Sequence, residues 1–365
     1  MRRYDIDWIR VLVFDILIIY HVGMFFVPWG WHIKNDVIVD WFQLPMAFVN
    51  QWRLPILFVV SGMGTRYAMS FRSGKVYLKE RLWRLGIPLI AGILLIIPPQ
   101  VYLERIVNED FTGNYFQFYP HFFEGIYPSG NFSWHHLWFL PYLLLMSLLA
   151  TPLFLKWRRP KNKFIHWFKE RLEKSPYYLY LFTVPLFFVE AFMEPIFPVT
   201  HALIGDWYAL VLYSFLFLYG FILIGTGDVF WSSVVKLKKI AAVIGIICFP
   251  ILIWFWLNVD SSFFIPVLKI LNLWSWIIVI FGFSARYLNK EGKVVKYRNR
   301  AVYPFYILHQ TIIVILGYYL MNLPIHYGLK FVIMLVGTFG ISWILYEFII
   351  RRTPFLRPLF GIKSK

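Results

Sequence analysis

Cysteine and charge are both scarce in this 365-residue sequence, which contains one cysteine, Cys248, and 15% charged residues. A lone cysteine excludes an intramolecular disulfide and supplies no thiolate zinc site, so cofactor chemistry based on thiolates is not expected. Soluble globular domains contain about 25% charged residues, so the low share excludes an ordinary water-soluble domain. Acidic residues are especially few, at 19 against 36 Lys and Arg, and the formal net charge is +17.

Hydrophobic residues make up 59% of the sequence and aromatic residues 21%, which predicts an all-α polytopic membrane protein. A helix needs about 20 apolar residues to cross a bilayer core, and about ten segments meet that length. The predicted spans are 8–28, 44–69, 85–104, 136–155, 177–195, 207–226, 240–258, 264–286, 302–321 and 329–350. Without repeats, low-complexity tracts or long soluble inserts, residues 1–365 are predicted to form a single integral-membrane domain. Asp15 and His21 interrupt the first apolar run, so it is not expected to be a cleaved signal peptide.

The basic residues predict the orientation. If the N-terminus is cytoplasmic, about 30 of the 36 Lys and Arg fall on the cytoplasmic side, where such residues concentrate in membrane proteins. We therefore expect a multi-pass protein of the cell membrane (inner or plasma membrane) with both termini in the cytoplasm. The bilayer explains the positive charge, and no nucleic-acid partner is expected.

Polar residues in the first span form a stripe. Arg10 and His21 are eleven residues apart, which places them about 20° apart around a helix and about 16 Å apart along it. Asp7 precedes Arg10 by three residues and can pair with it. Asp15 points elsewhere and suggests a helix–helix contact. Alone, Arg10 could snorkel to headgroups and His21 could be structural, so the argument depends on their combination.

The second span contains Arg53, followed by Pro55 and the small residues Ser61 and Gly62. The Ser-Gly step permits close helix packing. Arg53 is expected near the depth of His21, where a cation favours the neutral imidazole that a general base requires.

Lys79, Arg81 and Arg84 follow the second span, and the two arginines are one helical turn apart. Paired arginines suit phosphate groups. Positive charge that merely sets the topology explains the same residues equally well.

Aromatic and histidine side chains concentrate in the outer loops and the ends of nearby spans, including Trp31, His32, His136 and Trp138. Such rings could stack on a sugar, or they could form the interfacial aromatic belt. His135 and His136 lack a third ligand at a fixed spacing, so no metal site is predicted. His309 lies in the middle of a span, and the interior carboxylates Glu190, Glu194 and Glu347 are expected to be partners of cationic side chains.

Four stretches in order resemble the membrane-bound acyltransferase family 3. They are Arg10 with His21 (an R-x10-H pattern), Phe58-Val59-Val60-Ser61-Gly62 with the basic stretch ending at Ile87-Pro88, His136-Leu137-Trp138-Phe139-Leu140, and Tyr306-Ile307-Leu308-His309 with the closing Tyr346–Arg352 stretch. Within that family the sequence is most similar to the group of osmoregulated periplasmic glucan succinyltransferases.

The resemblance implies an O-acyltransferase that moves an acyl group from cytoplasmic acyl-coenzyme A to a hydroxyl of a glycan or related acceptor outside. Combined with the residue pattern, we expect His21 to be the general base, with Arg53 stabilising the oxyanion, Arg10 near the donor and Asp7 orienting Arg10. Donor-binding residues would be Arg10, Lys79, Arg81 and Arg84, and acceptor-binding residues Trp31, His32, His136, Trp138 and His309. Acyl-coenzyme A would be a substrate, with no permanently bound cofactor.

Several alternatives stay open at this level. An acyl-histidine intermediate competes with direct transfer. There are two competing classes. One is a transporter of a lipid, glycan or organic anion, and the other is a structural or sensing subunit. Neither the acyl group, nor the acceptor, nor the oligomeric state follows from the sequence.

Overall fold

The computed structural model describes residues 2–159, 162–259 and 262–362, and these ranges contain helices but no strand. The predicted all-α fold class is confirmed. The α-helices are α1 (Tyr4–Met24), α2 (Gln43–Asn50), α3 (Arg53–Ser70), α4 (Gly74–Arg81), α5 (Ile87–Leu95), α6 (Pro98–Val107), α7 (Tyr115–His121), α8 (Phe139–Trp157), α9 (Lys163–Lys174), α10 (Thr183–Met193), α11 (Trp207–Gly225), α12 (Asp228–Asn258), α13 (Phe264–Tyr287), α14 (Lys293–Leu320) and α15 (Tyr327–Ile344). Short 3₁₀ segments cover Asp40–Phe42, His135–Trp138, Pro176–Phe182 and Pro358–Phe360, and π-helical turns cover Leu82–Gly86 and Leu345–Ile350.

Within the described ranges, eight helical stretches are long and apolar enough to cross a membrane, and they overlap the last eight predicted spans. They are Gly74–Val107, His135–Trp157, Pro176–Met193, Trp207–Gly225, Asp228–Asn258, Phe264–Tyr287, Lys293–Leu320 and Tyr327–Ile350. The first predicted span is the long helix α1, which carries Asp7, Arg10 and Asp15. The orientation of the termini stays a prediction.

Prolines divide two of the predicted spans. Segment 44–69 is split at Gln51 and Trp52 into α2 and α3, and Pro55 lies in the first turn of α3. Segment 85–104 is split before Pro98 into α5 and α6. Proline lacks the N–H that a continuous helix requires, but the first turn of a new helix needs no such donor. Segment 44–69 is therefore two helices rather than the one expected, whereas segment 85–104, despite its break, belongs to the stretch Gly74–Val107, which is long and apolar enough to cross a membrane.

Helix α9 lies between two predicted spans and was not among the predicted helices. Asn162 caps it by accepting a hydrogen bond from Ile165 N. Ile165, Phe168 and Leu172 form its buried face, whereas Trp167 is 42% exposed. Apolar residues spaced by three and four, after an Asn cap, are the signal that predicts such an amphipathic helix.

The chain forms two compact units, each built from separate parts of the sequence. Unit one comprises Met1–Val13, Phe48–Glu80 and Tyr142–Lys296, and unit two comprises Phe14–Ala47, Arg81–Pro141 and Tyr297–Lys365. The prediction of a single domain stays a prediction.

In unit one, α3 packs closely against α11 through glycines on both helices. A Cβ added at Gly62 would lie 1.9 Å from Phe217 O, and one added at Gly220 would lie 1.9 Å from Val59 O. The two backbones are therefore in direct contact, as the Ser-Gly step predicted. Elsewhere in unit one, buried Glu190 on α10 pairs with Lys269 on α13 and accepts a hydrogen bond from Tyr208 Oη at 2.5 Å.

In unit two, the later part of α1 packs with α14 and α15 around a core that includes Val22, Phe26, Ile313 and Met334. Lys330 is fully buried on α15, and its Nζ donates to Asp36 Oδ1 at 2.7 Å and to Asn35 Oδ1 at 2.9 Å. A buried ammonium is tolerated only where it is paired and hydrogen-bonded, and these contacts meet that condition.

Of three further acidic residues considered from sequence, two are paired with arginines and one is exposed. Asp15 on α1 pairs with Arg298 on α14, which confirms the expected helix–helix contact. Glu347 pairs with Arg351 at 2.5 Å and accepts from Tyr297 Oη at 2.9 Å. Glu194 is exposed at the end of α10, so its assignment as an interior carboxylate was wrong.

Candidate active site

His21 on α1 forms a hydrogen bond with His309 on α14. The distance from His21 Nδ1 to His309 Nε2 is 2.7 Å, and the ring planes differ by only 5° with centroids 5.0 Å apart. Those values fit an in-plane hydrogen bond between two nearly coplanar imidazoles. His309 is fully buried in unit two. Two of the predicted site residues are thus brought into direct contact.

The neighbours of His309 fix the tautomer of both rings. His309 Nδ1 lies 2.6 Å from the backbone oxygen of Tyr306, and a carbonyl oxygen can only accept. His309 Nδ1 therefore carries the proton, and its Nε2 accepts in the neutral form. His21 Nδ1 must then be the donor, which leaves the lone pair of His21 on Nε2. This assignment gives His21 the electronic form of a general base.

Aromatic rings surround this histidine pair. Trp31 stacks against His21 with centroids 5.3 Å apart and planes 29° apart, and it also contacts His32 at 5.0 Å. Tyr306 makes an edge contact with Phe14 of α1. Trp31, predicted to bind an acceptor, is therefore in contact with the predicted base.

His136 lies next to His309 with centroids 5.0 Å apart, and it is buried. Its Nε2 donates to Ile307 O at 3.0 Å, so its Nδ1 carries a lone pair. That Nδ1 has no hydrogen-bond partner among the residues that the structure describes. A buried acceptor of this kind is costly unless a ligand supplies the donor, and a hydroxyl group would do so. Trp138, in the same 3₁₀ segment, is also buried.

The ion pair expected at the start of α1 is present. Arg10 Nη1 lies 3.7 Å from Asp7 Oδ1, and Asp7 Oδ2 also accepts from Arg2 Nη2 at 2.7 Å. Arg10 keeps about a third of its side chain exposed and lies beside Gly64 of α3. Asp7 thus orients Arg10, and its role in the reaction stays a prediction.

Arg53 is buried in unit one, where its Nη2 donates to Asn50 Oδ1 at 2.8 Å. It acts electrostatically on His201, which Asp206 also influences. Asp206 accepts hydrogen bonds from Tyr142 Oη and from His201 N. These contacts belong to one polar cluster of unit one, so the predicted oxyanion role of Arg53 is untested.

Of the predicted donor-binding residues, Arg81 and Arg84 belong to unit two and Lys79 to unit one. Arg84 and Lys79 are exposed, and Arg81 is half-buried. Arg84 lies on the π-helical turn Leu82–Gly86, and its carbonyl oxygen accepts from Tyr303 Oη at 3.0 Å. π-Helical turns are rare and concentrate at functional sites, which adds weight to Arg84.

His32 is held by a polar network that the sequence did not reveal. Its Nδ1 pairs with Glu104, and its Nε2 lies 3.0 Å from the amide nitrogen of Gln310. The same amide nitrogen donates to Gln100 Oε1 at 3.1 Å. Gln100 and Glu104 are four residues apart in an apolar segment, and this pair of buried polar residues on one face of a helix was a usable signal.

These features define the class of protein, because the family model described as "Acyltransferase domain" matches residues 3–347. The chain belongs to this acyltransferase family, as the ordered motifs predicted, and it is a multi-pass membrane protein of that kind.

The relatives are proteins named "Glucans biosynthesis protein C". The chain is 25% identical to those of Salmonella paratyphi B, Salmonella schwarzengrund and Salmonella dublin over 389 residues. Each alignment covers 99% of this chain and 95% of the relative. No solved structure matches the chain.

Proposed function

We propose that this protein transfers an acyl group from cytoplasmic acyl-coenzyme A to a hydroxyl group of a glucan on the outer face of the cell membrane. Family membership supports acyl transfer, and the name of the relatives supports a glucan acceptor. The observation that carries the proposal is the hydrogen-bonded chain from His21 to His309 to the Tyr306 carbonyl. It presents the Nε2 lone pair of His21 as a base.

In the proposed reaction, His21 Nε2 takes the proton of the acceptor hydroxyl as the hydroxyl oxygen attacks the thioester carbonyl carbon. A C–O bond forms, the C–S bond breaks, and the imidazolium returns the proton to the leaving thiolate. His309 Nε2 accepts a hydrogen bond from His21 Nδ1–H throughout, which stabilises the imidazolium as it forms. The oxyanion role expected of Arg53 from sequence stays a prediction. Acyl-His21 followed by transfer is the alternative route.

The acceptor would contact the rings beside His21. Trp31 offers a stacking face next to the base, and the buried Nδ1 of His136 offers a hydrogen-bond acceptor for a sugar hydroxyl. Trp138 completes the apolar wall. Because both nitrogens of His309 are engaged within the protein, we assign it a positioning role rather than contact with the acceptor.

The donor would be bound through its phosphates by Arg81 and Arg84, whereas the donor-binding roles of Lys79 and Arg10, which belong to unit one, stay sequence predictions. Two arginines one helical turn apart can bind phosphate groups, and acyl-coenzyme A carries such groups. Transport without chemistry is the competing function, and the acyltransferase family weighs against it.

The decisive experiment uses purified protein in liposomes with labelled acetyl- or succinyl-coenzyme A and a glucan acceptor. We expect transfer by the wild type and a loss of about 10²–10⁴-fold in His21→Ala, the range that a general base supplies. His121→Ala is the matched control, since His121 is an exposed histidine paired with Glu124. Wild-type rates in a correctly inserted His21→Ala protein would remove His21 from the chemistry.

A further inference from the structure

Three potential metal ligands meet in unit two, beside but separate from the histidine pair. His32, Glu104 and His135 each offer one ligand atom, and these atoms lie within 4.8 Å of one another. They come from three different parts of the chain: the loop after α1, helix α6 and the 3₁₀ segment His135–Trp138. Folding therefore brings two further ligand groups to His135, which the local sequence spacing does not supply.

His135 has one ring nitrogen without a hydrogen-bond partner in the described part of the chain. Its Nδ1 lies 3.3 Å from Ser133 Oγ, whereas its Nε2 is buried with no hydrogen-bond partner among the described residues. The ring contacts His32 at 4.4 Å between centroids and Tyr127 at 4.8 Å. A buried nitrogen left without a partner is costly, and a metal ion would satisfy it.

The backbone of His135 also shows a constraint. Its φ is +38°, in the left-handed region that non-glycine residues rarely adopt. Such a conformation persists where surrounding contacts impose it. It places the imidazole beside His32, while the next residue, His136, contacts His309.

An outer layer of hydrogen bonds already holds the other two ligands. Tyr127 Oη donates to Glu104 Oε1 at 2.9 Å, while Glu104 Oε2 pairs with His32 Nδ1, so a metal bound between these two atoms would replace that pairing. Gln310 Nε2 lies 3.0 Å from His32 Nε2 and donates to Gln100 Oε1. With both amides turned over, the Gln310 oxygen would accept from a protonated His32 Nε2 while Nδ1 binds the metal. Metal-binding histidines almost always have such a partner on their second nitrogen.

We propose that His32 Nδ1, Glu104 Oε2 and His135 Nε2 bind a divalent transition metal, with Zn²⁺ the best match. Two imidazoles and one carboxylate form a common three-residue zinc ligand set, and it leaves a fourth position for water or a ligand oxygen. Ligand atoms around a tetrahedral Zn²⁺ lie about 3.4 Å apart, so small side-chain rotations would close the site. The inference goes beyond the proposed acyl transfer and does not depend on it.

The test uses untagged full-length protein in detergent, stripped with a chelator and dialysed before titration with Zn²⁺. We expect about one Zn²⁺ per chain by elemental analysis and a zinc X-ray absorption spectrum with imidazole and oxygen ligands. His135→Gln and Glu104→Gln should weaken Zn²⁺ binding at least tenfold by calorimetry, and Tyr127→Phe about tenfold, as loss of an outer hydrogen bond does.

The matched controls are His121→Gln and Glu124→Gln, which alter an exposed His–Glu pair elsewhere in unit two. They should bind Zn²⁺ like the wild type. A stripped wild-type protein that takes up no Zn²⁺, or a spectrum without imidazole ligands, would overturn the proposal even if a variant failed to fold. Because these readouts need no substrate, they remain valid if acyl transfer is not observed.

Discussion

A single hydrogen bond decides which nitrogen of His21 is basic. The Tyr306 carbonyl orients His309, and His309 orients His21, so the chemistry of the first helix is fixed by a residue on α14. Sequence spacing identified His21 and His309 separately, but it could not reveal that they touch. A contact between residues 288 positions apart is a property of the fold rather than of a local pattern.

Substitutions of His309 should therefore show whether it orients His21 or only fills space in the core. In His309→Leu the acceptor for His21 Nδ1–H is lost, and we expect kcat to fall about 100-fold with little change in KM. In His309→Gln an amide oxygen can accept the same hydrogen bond, so about tenfold of that loss should be recovered. Steady-state kinetics in liposomes measures both. Equal, wild-type kcat values in the two variants would show that His309 does not position the base.

The exposed arginine Arg84 provides a second prediction at this scale. Arg84→Glu replaces a cation with an anion at the proposed donor site, and we expect the KM for acyl-coenzyme A to rise at least tenfold while kcat changes little. Lys75→Glu, an exposed charge reversal on α4, is the control. If both variants keep the wild-type KM, Arg84 does not bind the donor and contributes only to the orientation of the chain in the membrane.

His201 predicts a pH dependence of stability. Burial lowers its pKa from the ordinary value of 6.5 to about 4, with Arg53 lowering it further and Asp206 opposing. The unfolded chain therefore binds more protons between these values, so stability is complete above pH 6.5 and is lost as the pH falls toward 4. We expect a loss of about 1–2 kcal/mol over that range, allowing for partial exposure of the ring.

The check is thermal unfolding in detergent at pH 7 and pH 4.5. His201→Asn should flatten the difference, and asparagine tolerates the positive φ of +57° at this position. His166→Asn, at an exposed histidine on α9, should leave the difference unchanged. An unaltered pH dependence in His201→Asn would assign the acid sensitivity to other groups.

At the scale of elements, the contact between α3 and α11 depends on two glycines. Their hydrogens are the only side-chain atoms that fit where the carbonyl oxygens of Phe217 and Val59 approach. Membrane helices commonly associate through close backbone contact. Lipid tails are as apolar as the helices, so association gains no hydrophobic free energy and depends on packing instead. Proline, in contrast, sets where helices restart, as at Pro55 and Pro98.

Gly62→Leu should consequently break this packing. The added side chain meets a backbone oxygen that cannot rotate away, and overpacking of this kind costs about 1–3 kcal/mol or more. Size-exclusion chromatography and thermal unfolding should show aggregation or a lower midpoint. Gly340→Ala on α15 is the control, because a Cβ there meets nothing within 4 Å. A normally folded Gly62→Leu protein would mean that α3 can move away from α11.

For the whole molecule, the predicted membrane orientation puts residue 70 inside the cell and residue 129 outside. Both Ser70 and Ser129 are exposed, and the only cysteine, Cys248, is buried, so it can be replaced with serine as a background. In intact cells an impermeant maleimide should label Ser129→Cys, and Ser70→Cys only after permeabilisation. The opposite pattern would reverse the orientation predicted from the basic residues.

Much of the fold was predictable because bilayer length and apolar composition are local properties. The last eight spans, the Asp7–Arg10 pair and the Asp15 contact all follow from short-range spacing or from the cost of burying charge. The positions where α2 and α5 end were missed because apolar composition hides helix breaks. Glu104 and Gln310 were missed because their significance arises only when distant segments meet at His32.

The interleaved construction of unit two has a consequence for biosynthesis. His21 emerges from the ribosome with the first helix, yet the imidazole that orients it follows 288 residues later. Until α14 has been inserted, the nascent polypeptide cannot hold His21 in the tautomer that this contact sets. Truncation before α14 should therefore leave His21 without this partner even if α1 inserts normally.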